Sequence, residues 1–191
     1  MWITKLTRLI ELSATRSRLV YCIVSVYYRL LIKREVKLAE INENDRVLCI
    51  GGGICPYTAI LLNKYTNAFI TVVDNNINCV EKSRTFVNRL GLDRVKIIYG
   101  DGRDICCHGY TVIHLAMQLT PKESVLNEIM KKADHGTRIL IRNPRKGIEK
   151  LYCKMSDREK DFVKCIKHSF LSNVDYTSVC IVNKNPVGNL S

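Results

Sequence analysis

Short apolar runs alternate with amphipathic stretches along most of the chain after residue 45, and this alternation predicts its main elements. Runs rich in branched apolar residues predict strands at 46–50, 69–74, 95–100, 110–115 and 137–143. The stretches between them predict helices over 55–65, 78–91 and 120–133. Gly91 is expected to close the second of these helices, whereas Thr120 and Pro121 are expected to open the third as its N-cap and first residue. Such alternation predicts an α/β fold with a mostly parallel sheet covered on both faces.

The two ends of the chain show other patterns. Helices are expected over 4–12 and 14–34, and a polar connection over 38–46. A basic stretch after residue 143 is expected to be helical to about 163, and the tail over 165–184 has two strand-like runs separated by a polar turn. The whole pattern predicts a seven-stranded sheet with an antiparallel C-terminal hairpin in a domain over 42–191, preceded by an N-terminal helical extension over 1–41.

The most apolar segment of the chain is "LVYCIVSVYYRLLI" at 19–32. It is shorter than the roughly 20 apolar residues that a membrane-spanning helix needs, and it contains Arg29. A helix that is apolar nearly all round is expected to be buried on more than one side. We therefore expect it to cover a substrate pocket, with Tyr27 or Tyr28 near the acceptor, or to form a homodimer contact. The cations that follow in the same helix, Arg29, Lys33 and Arg34, would then meet an acidic acceptor group.

Three consecutive glycines, Gly51 to Gly53, separate the first strand from the first helix of the main domain. In an open α/β sheet this turn lies at the carboxyl end of a strand, where ligands bind. Glycines let backbone N–H groups approach a ligand closely, and a helix N-terminus favours an anionic group. Pro56 suits the first turn of the helix, because its missing N–H is no loss there. The turn is therefore predicted to be a ligand-binding loop.

Two acidic residues follow the next two strands. Asp74 ends the second strand, where a carboxylate can accept hydrogen bonds from two ribose hydroxyls. Asp101 lies between Gly100 and Gly102 just after the third strand, where it can accept a bond from an exocyclic adenine amine. Gly51-x-Gly53 begins like a dinucleotide-binding fingerprint, but Pro56 occupies the third glycine position and the full pattern fails.

The glycine loop and the two acids at successive strand ends resemble the class I S-adenosylmethionine (SAM)-dependent methyltransferase superfamily over roughly 42–184. The resemblance implies a Rossmann-like fold, SAM as cofactor, and a transferase activity. It places Gly51 to Gly53 under the methionine part of SAM, Asp74 at the ribose and Asp101 beside the adenine. The cofactor-binding residues implied in this way are Ile50, Gly51, Gly52, Gly53, Asp74, Asn75, Gly100, Asp101 and Gly102.

The chain departs from this superfamily at two positions. The acid usually found two residues before the first glycine is Cys49 here, and the later loop glycine is Cys55. The first departure affects contacts to the methionyl amine of SAM, and the second implies a different loop shape.

A narrower resemblance is carried by "IGGGICPYTAILL", "TRILIRNPRKGIEKLY" and "TSVCIVNK". These segments are similar to nicotianamine synthase and its bacterial and archaeal relatives, which transfer the aminocarboxypropyl group of SAM instead of the methyl group. The larger N-terminal helical domain of that family has no full counterpart in 41 residues, so its substrate residues are not carried over.

Candidates for the acceptor side follow the fourth strand, at His114, Met117 and Gln118, and Tyr57 in the glycine loop also qualifies. For His114 a buried position with a backbone hydrogen bond is the competing interpretation, and for Tyr57 it is packing at the helix start. Group transfer from SAM depends mainly on positioning, so no obligatory nucleophile need be visible.

The region after the fourth strand lacks the Asn/Asp-Pro-Pro-aromatic motif of enzymes that methylate the exocyclic amine of a base. It also lacks the cysteine nucleophile of enzymes that methylate cytosine at C5. Nucleic acid is therefore a less favoured substrate than a small molecule.

Composition narrows the remaining choices. The chain has 191 residues and a net charge of +12, with the excess of Lys and Arg in 1–40 and 131–160. A basic surface attracts nucleic acid, anionic lipid or an acidic substrate, although solvated lysine-rich helices give the same balance. Nine cysteines without Cys-x-x-Cys spacing, and no visible secretory signal, indicate a reduced cytoplasmic protein without a metal site.

The expected function is SAM-dependent transfer to a small-molecule acceptor, for which a carboxylate-bearing molecule is one candidate. Methyl transfer is the leading interpretation on the frequencies of the superfamily, and aminocarboxypropyl transfer is the close alternative. A SAM-binding module without catalysis is a further alternative.

Overall fold

In the computed structural model, which describes residues 9, 12–13, 15–145, 162–168 and 172–183, seven strands form one sheet. The strands are β1 (Arg46–Ile50), β2 (Phe69–Asp74), β3 (Val95–Tyr99), β4 (Val112–Leu115), β5 (Arg138–Pro144), β6 (Phe162–Lys167) and β7 (Val174–Ile181). The helices named here are α1 (Arg18–Ala39), α2 (Tyr57–Thr66), α3 (Ile77–Arg89) and α4 (Lys122–Lys132).

The order of the strands across the sheet is β3-β2-β1-β4-β5-β7-β6. Strands β1 to β5 are parallel to their neighbours, whereas β7 runs antiparallel between β5 and β6. The predicted class, a seven-stranded and mostly parallel sheet with a C-terminal antiparallel hairpin, is confirmed. The chain reverses its direction of progress across the sheet between β1 and β4, which is where open α/β sheets bind ligands.

Residues of β1 alternate between two core layers on opposite faces of the sheet. Val47 and Cys49 belong to the layer that contains residues of α1, α2 and α3, and Leu48 and Ile50 to the layer that contains α4. This alternation follows from the two-residue period of a strand. Because helices cover both faces, all four residues of β4 are buried, and the strand reads as a continuous apolar run interrupted only by His114.

Several predicted boundaries move by a few residues. Helix α1 extends to Ala39, beyond the expected end at 34, and Glu40 in the left-handed conformation terminates it. Pro121 has an extended conformation and is itself the N-cap of α4, so the expectation of Thr120 as N-cap with Pro121 inside the helix is wrong. Gly91, at φ +64°, follows the end of α3 as predicted.

Some predictions fall on parts of the chain outside the described residues. These are most of the helix expected over 4–12, nearly all of the basic stretch after 143, and part of the turn between β6 and β7. Helix α1 shares its core with the sheet, since Ile32 and Ala39 belong to the same buried layer as Val47. The division of the chain at residue 41 stays a prediction. Within the described part of the chain, no helix is long and apolar enough to span a membrane.

Candidate active site

A cleft of about 410 Å³, a volume that includes solvent at its mouth, opens at the carboxyl ends of β1, β2 and β3. The segment that leads from β4 into α4 closes its other side. Seven of the nine predicted cofactor residues line it, namely Ile50, Gly51, Asp74, Asn75, Gly100, Asp101 and Gly102. The other lining residues are Val73, Arg103, Leu119, Thr120, Pro121 and Val125. Gly52 and Gly53 do not line it.

The structure shows why a glycine is needed at each of the three positions of the loop. Gly51 and Gly53 have φ angles of +87° and +65°, which residues with a side chain rarely adopt. At Gly52 a Cβ atom would lie 2.3 Å from Cγ1 of Val72, so the backbone can lie against β2 only without a side chain. The N–H of Gly51 donates to the carbonyl of Val73 over 2.8 Å. This N–H is therefore used within the protein to tie the loop to β2.

Asp74 holds the glycine loop and the start of α3 together. Its Oδ2 accepts the N–H of Gly53 over 2.8 Å, and its Oδ1 accepts the N–H of Asn76 over 2.9 Å. A carboxylate has about four acceptor positions, so each oxygen can accept one further hydrogen bond. The carboxylate is thus fixed at the cleft in a geometry that can receive two hydroxyl groups.

Asp101 is paired with Arg103, a residue that sequence reasoning missed. Arg103 donates from Nε to Oδ1 over 3.0 Å and from Nη2 to Oδ2 over 2.7 Å, and its backbone N–H also bonds Oδ1. These bonds hold the pKa of Asp101 at about 2, below its usual value. The carboxylate therefore stays ionised, and its orientation at the cleft is set by the guanidinium.

Cys49 and Cys55, the two departures from the superfamily pattern, are both buried and form no disulfide. Burial raises the pKa of the Cys49 thiol to about 12. A neutral thiol at this position cannot serve as the counter-ion that a carboxylate would provide for an ammonium group.

A stack of three tyrosines joins α1 to the start of α2. Tyr57 lies between Tyr21 and Tyr28, with ring centroids 5.4 Å apart on each side and nearly parallel planes. Tyr28 also packs against a small cluster of Leu31, Met117 and Val174. Burial raises the pKa of Tyr57, so its hydroxyl stays protonated. Helix α1 is thereby brought beside the segment that follows β4. A place for Tyr28 near an acceptor stays a prediction, and the side chain of Tyr27 lies outside the described residues.

A buried polar cluster lies between α1 and the central strands. Arg142 of β5 donates from Nε to Oε1 of Glu35 over 2.8 Å and from Nη2 to Oε2 over 2.7 Å. Glu35 has no exposed surface, and the pair is completed by Thr177, which donates to Oε1, and Thr58, which accepts from Arg142. Burial alone raises the pKa of Glu35, but the Arg142 guanidinium outweighs it and lowers that pKa below its usual value.

Two buried histidines adjoin this cluster. His114 Nε2 lies 3.6 Å from Oε2 of Glu35, which is an electrostatic contact longer than a hydrogen bond. His168 Nε2 lies 2.8 Å from Oγ1 of Thr177; because that hydroxyl donates to Glu35, the imidazole N–H donates to the hydroxyl. Burial lowers the pKa of both histidines, so both are neutral at pH 7.

Arg29, Lys33 and Arg34, the cations expected to meet an acidic acceptor group, are exposed on α1. Lys33 lies over the ring of Tyr65 near the far end of α2, and Arg34 donates to the carbonyl of Lys167. Their role at an acceptor stays a prediction. Gln118 is exposed, and Met117 is buried.

The charges of the polar cluster have a signal in the sequence. Glu35 lies seven residues after Tyr28 and therefore on the same face of α1, the face that packs inward. Arg142 stands inside the apolar run of β5. A charged residue in each of two apolar patterns, with opposite signs, predicts a buried pair.

The lining of the cleft carries groups that suit an adenosine-bearing ligand such as SAM. Gly100 and Gly102 leave its wall without side chains, and a Cβ at Gly102 would lie 2.5 Å from Cγ2 of Ile50. Asp74 and Asp101 supply carboxylate oxygens that can accept hydrogen bonds from hydroxyl and amine groups. In the described part of the chain no group of three or more His, Cys, Asp or Glu residues is placed to hold a metal ion.

Comparisons with known proteins point to the same chemistry. The model of the family described as protein-L-isoaspartate(D-aspartate) O-methyltransferase matches residues 25–176. The L-histidine 2-aminobutanoyltransferase of Yersinia pestis is 22% identical over 111 residues. That match covers 58% of this chain but only 42% of the relative, so the chain spans less than half of that protein.

Solved structures extend the similarity to almost the whole chain. MtNAS, a nicotianamine synthase crystallised with S-adenosylmethionine, is 26% identical, has a TM-score of 0.82, and is matched over 95% of this chain and 76% of its own. A second crystal of MtNAS contains MTA and tNA and is 28% identical with a TM-score of 0.79, over 95% of this chain and 71% of its own. An RNA methyltransferase from Salinibacter ruber, bound to S-adenosyl-L-homocysteine, is 16% identical with a TM-score of 0.66, over 84% of this chain and 95% of its own, and shows the fold alone.

Proposed function

We propose a function from the premise that the chain belongs to the protein-L-isoaspartate(D-aspartate) O-methyltransferase family. The family and the similar proteins make SAM the cofactor and SAM-dependent group transfer the class of reaction. Within that class, we propose that the chain transfers the 3-amino-3-carboxypropyl group of SAM to the amine of a small, carboxylate-bearing acceptor.

The observation that carries this proposal is the extent of the likeness to nicotianamine synthase. That likeness includes α1 and the C-terminal hairpin, since it covers 95% of the chain at 26% to 28% identity. The aminobutanoyltransferase from Yersinia pestis supports the same choice, because its name describes a four-carbon group and not a methyl group.

The chemistry at Cys49 also favours this reaction. SAM, when bound, supplies a sulfonium whose neighbouring carbon atoms are open to attack by a nucleophile. A methyltransferase benefits when the aminocarboxypropyl arm of SAM is immobilised. An acid before the glycine loop immobilises it by binding the methionyl amine. Here that position holds a neutral, buried thiol with a pKa of about 12, which leaves the arm without that carboxylate. Such a site suits a reaction in which the arm itself is presented to the acceptor.

The residues of the cleft have separate roles in this proposal. Asp74 accepts hydrogen bonds from the ribose hydroxyls, and Asp101, held by Arg103, accepts one from the adenine amine. We place the acceptor beside Tyr28 and Met117, which do not line the cleft but pack together where α1 meets the segment after β4. These apolar surfaces exclude water and orient the acceptor, which supplies much of the rate of a group transfer.

The proposed acceptor class rests on charge and on one relative. The chain carries a net charge of +12, which attracts anionic molecules. The relative from Yersinia pestis acts, by its name, on L-histidine, an amino acid with a carboxylate and a free amine.

A second candidate is methyl transfer, and the family assignment is the observation that favours it. The two reactions leave different parts of SAM behind. Transfer of the aminocarboxypropyl group leaves methylthioadenosine, whereas transfer of the methyl group leaves S-adenosylhomocysteine.

The test therefore follows the two by-products. The purified protein is incubated with amino acids and with SAM labelled separately in the methyl carbon and in the aminobutyrate carbons. We expect methylthioadenosine and a product that carries the aminobutyrate label. S-adenosylhomocysteine with a methyl-labelled product would establish methyl transfer instead, and SAM binding without either by-product would identify a binding module.

A further inference from the structure

The side of α1 that faces away from the sheet carries an apolar stripe. Leu19, Ile23, Val26 and Leu30 follow one another at intervals of four, three and four residues and therefore lie on one face of the helix. Their side chains are 59% to 71% exposed. They are four of the ten large apolar side chains that are exposed in the described part of the chain, and no other element contributes a row. We call these four residues the outer stripe.

The outer stripe cannot turn inward, because the opposite face of α1 is fixed. Tyr21 and Tyr28 are stacked on Tyr57, and Ile32 is buried in the core layer beneath the sheet. Glu35 is locked by its two hydrogen bonds to Arg142. A rotation of the helix would break all of these contacts, so the stripe faces outward in the folded protein.

The charges next to the outer stripe have one sign. Arg18 and Arg29 are exposed on one flank, and Lys33, Arg34 and Lys37 are exposed at the C-terminal end of the helix. The only acid within α1 is Glu35, which is buried on the other face. A helix with an apolar stripe bordered by cations is the pattern of segments that lie in the surface of an anionic membrane.

From this arrangement we propose that α1 docks the protein on an anionic lipid surface, with the outer stripe among the acyl chains and the flanking cations at the headgroups. The stripe runs along about 16 Å of helix, at about 1.5 Å per residue, and lies parallel to the membrane plane. Long Lys and Arg side chains reach the headgroups while their stems remain apolar.

Charge and size decide against a second copy of this chain as the occupant. Pairing two outer stripes would bring the cations of one helix against those of the other, which is unfavourable. A stable protein interface usually needs about 20–30 residues from each partner, whereas this surface is one face of one helix. A lipid surface requires neither a matching shape nor that area.

Vesicle binding by the full chain tests the proposal, and it needs neither SAM nor an acceptor. The protein is sedimented with vesicles of phosphatidylcholine alone and with vesicles that contain about 30% phosphatidylglycerol. We expect at least about tenfold more binding to the anionic vesicles, falling steeply as NaCl rises from about 0.05 M to about 0.5 M.

Paired variants identify the surface that binds. Ile23→Gln with Val26→Gln removes the middle of the outer stripe, and Ile77→Gln with Val163→Gln changes two exposed apolar residues elsewhere as a matched control. We expect the first pair to reduce vesicle binding by about tenfold and the control pair to leave it unchanged. Arg29→Gln with Lys33→Gln should weaken binding and flatten its salt dependence. Circular dichroism and the thermal midpoint verify that each variant is folded.

Three outcomes would overturn the proposal. They are equal binding to both kinds of vesicle, no binding to either kind at low salt, and binding that both apolar pairs reduce alike. A dimer in light scattering that Ile23→Gln with Val26→Gln dissociates, without vesicle binding by the unaltered chain, would assign the outer stripe to a second copy.

Discussion

Asp74 is the residue on which the cleft depends most, because one carboxylate joins the glycine loop, the end of β2 and the start of α3. Both of its oxygens already accept a backbone N–H, from Gly53 and from Asn76. The same oxygens are the proposed acceptors for the ribose hydroxyls. The role of Asp74 in binding SAM stays a prediction, and its place at the cleft makes that prediction specific.

Substitution of Asp74 by Ala should weaken the binding of SAM. Loss of hydrogen bonds to a charged group costs about 1.5–3 kcal/mol, which is roughly a 10- to 150-fold rise in Kd. Titration calorimetry measures the effect, and Asp93→Ala, a change of an exposed acid just before β3, serves as the control. A Kd for Asp74→Ala equal to that of the control would remove Asp74 from the ribose site.

Gly52 is required for packing alone, whereas Gly51 and Gly53 also have backbone conformations that favour glycine. Gly52→Ala should destabilise the fold by about 1–3 kcal/mol, because the new Cβ overlaps Val72. Urea unfolding should show that Gly52→Ala combined with Val72→Ala recovers part of this loss. Gly100→Ala, where the nearest atom would lie at an ordinary 3.5 Å from the new Cβ, should be far less costly to stability. Equal losses for Gly52→Ala and Gly100→Ala would contradict the explanation.

At the scale of elements, α1 is joined to the sheet by a charge pair as well as by apolar packing. Residues 1–41 are predicted to be an extension of the main domain. A deletion of residues 1–36 would, however, remove Glu35 and leave the guanidinium of Arg142 buried without its carboxylate partner. Helix α1 is thus needed for the stability of the sheet to which it is attached.

Glu35→Gln tests this attachment with a nearly unchanged side-chain shape. Breaking a buried pair by neutralising one partner costs about 3–5 kcal/mol, and urea unfolding should show a loss in this range. The double variant Glu35→Gln with Arg142→Gln should cost less than the sum of the two single variants, since no unpaired charge remains. Additive losses would show that the pair is not coupled in the folded state.

The molecule as a whole combines a surplus of positive charge with two neutral histidines beside the buried pair of Glu35 and Arg142. Burial lowers the pKa of His114 and of His168 in the folded protein, whereas the unfolded chain binds protons near the ordinary value of about 6.5. Protonation of the unfolded chain therefore begins first as the pH falls. The stability contributed by keeping these histidines neutral is present above about pH 6.5 and is lost below it.

The free energy of unfolding should consequently fall between pH 7 and pH 5, by up to about 1.4 kcal/mol per pH unit for each histidine. A second decrease should begin near pH 4.5, because Glu35 takes up a proton there in the unfolded chain, whereas its pKa in the folded protein is lower. Urea unfolding across this range provides the measurement. His114→Gln should flatten the first decrease. A decrease of unchanged slope in His114→Gln would exclude His114 as a source.

The pattern of apolar runs determined the order and type of the elements of the main domain. The strands at 46–50 and 69–74 have the predicted bounds, because both runs are short, branched and closed by polar residues. The glycine loop and the acids after β2 and β3 could be placed at one edge of the sheet, since parallel strands end together. The predicted family, the fold and SAM as the cofactor are confirmed at that level.

Only the tertiary structure decided which groups are neighbours across long distances in the chain. Glu35 and Arg142 are 107 positions apart, and although each is a charge within an apolar pattern, only the fold brings α1 onto β5 so that the two meet. The pairing of Asp101 with Arg103, two residues apart, depends on the conformation of a loop. The need for glycine at position 52 depends on Val72 in the adjacent strand, where a Cβ atom would overlap. The sequence by itself determined that α1 has two apolar sides. Which side packs on the sheet was decided by the tyrosine stack and the buried charge pair, and their contacts with α2 and β5 exist only in the folded chain.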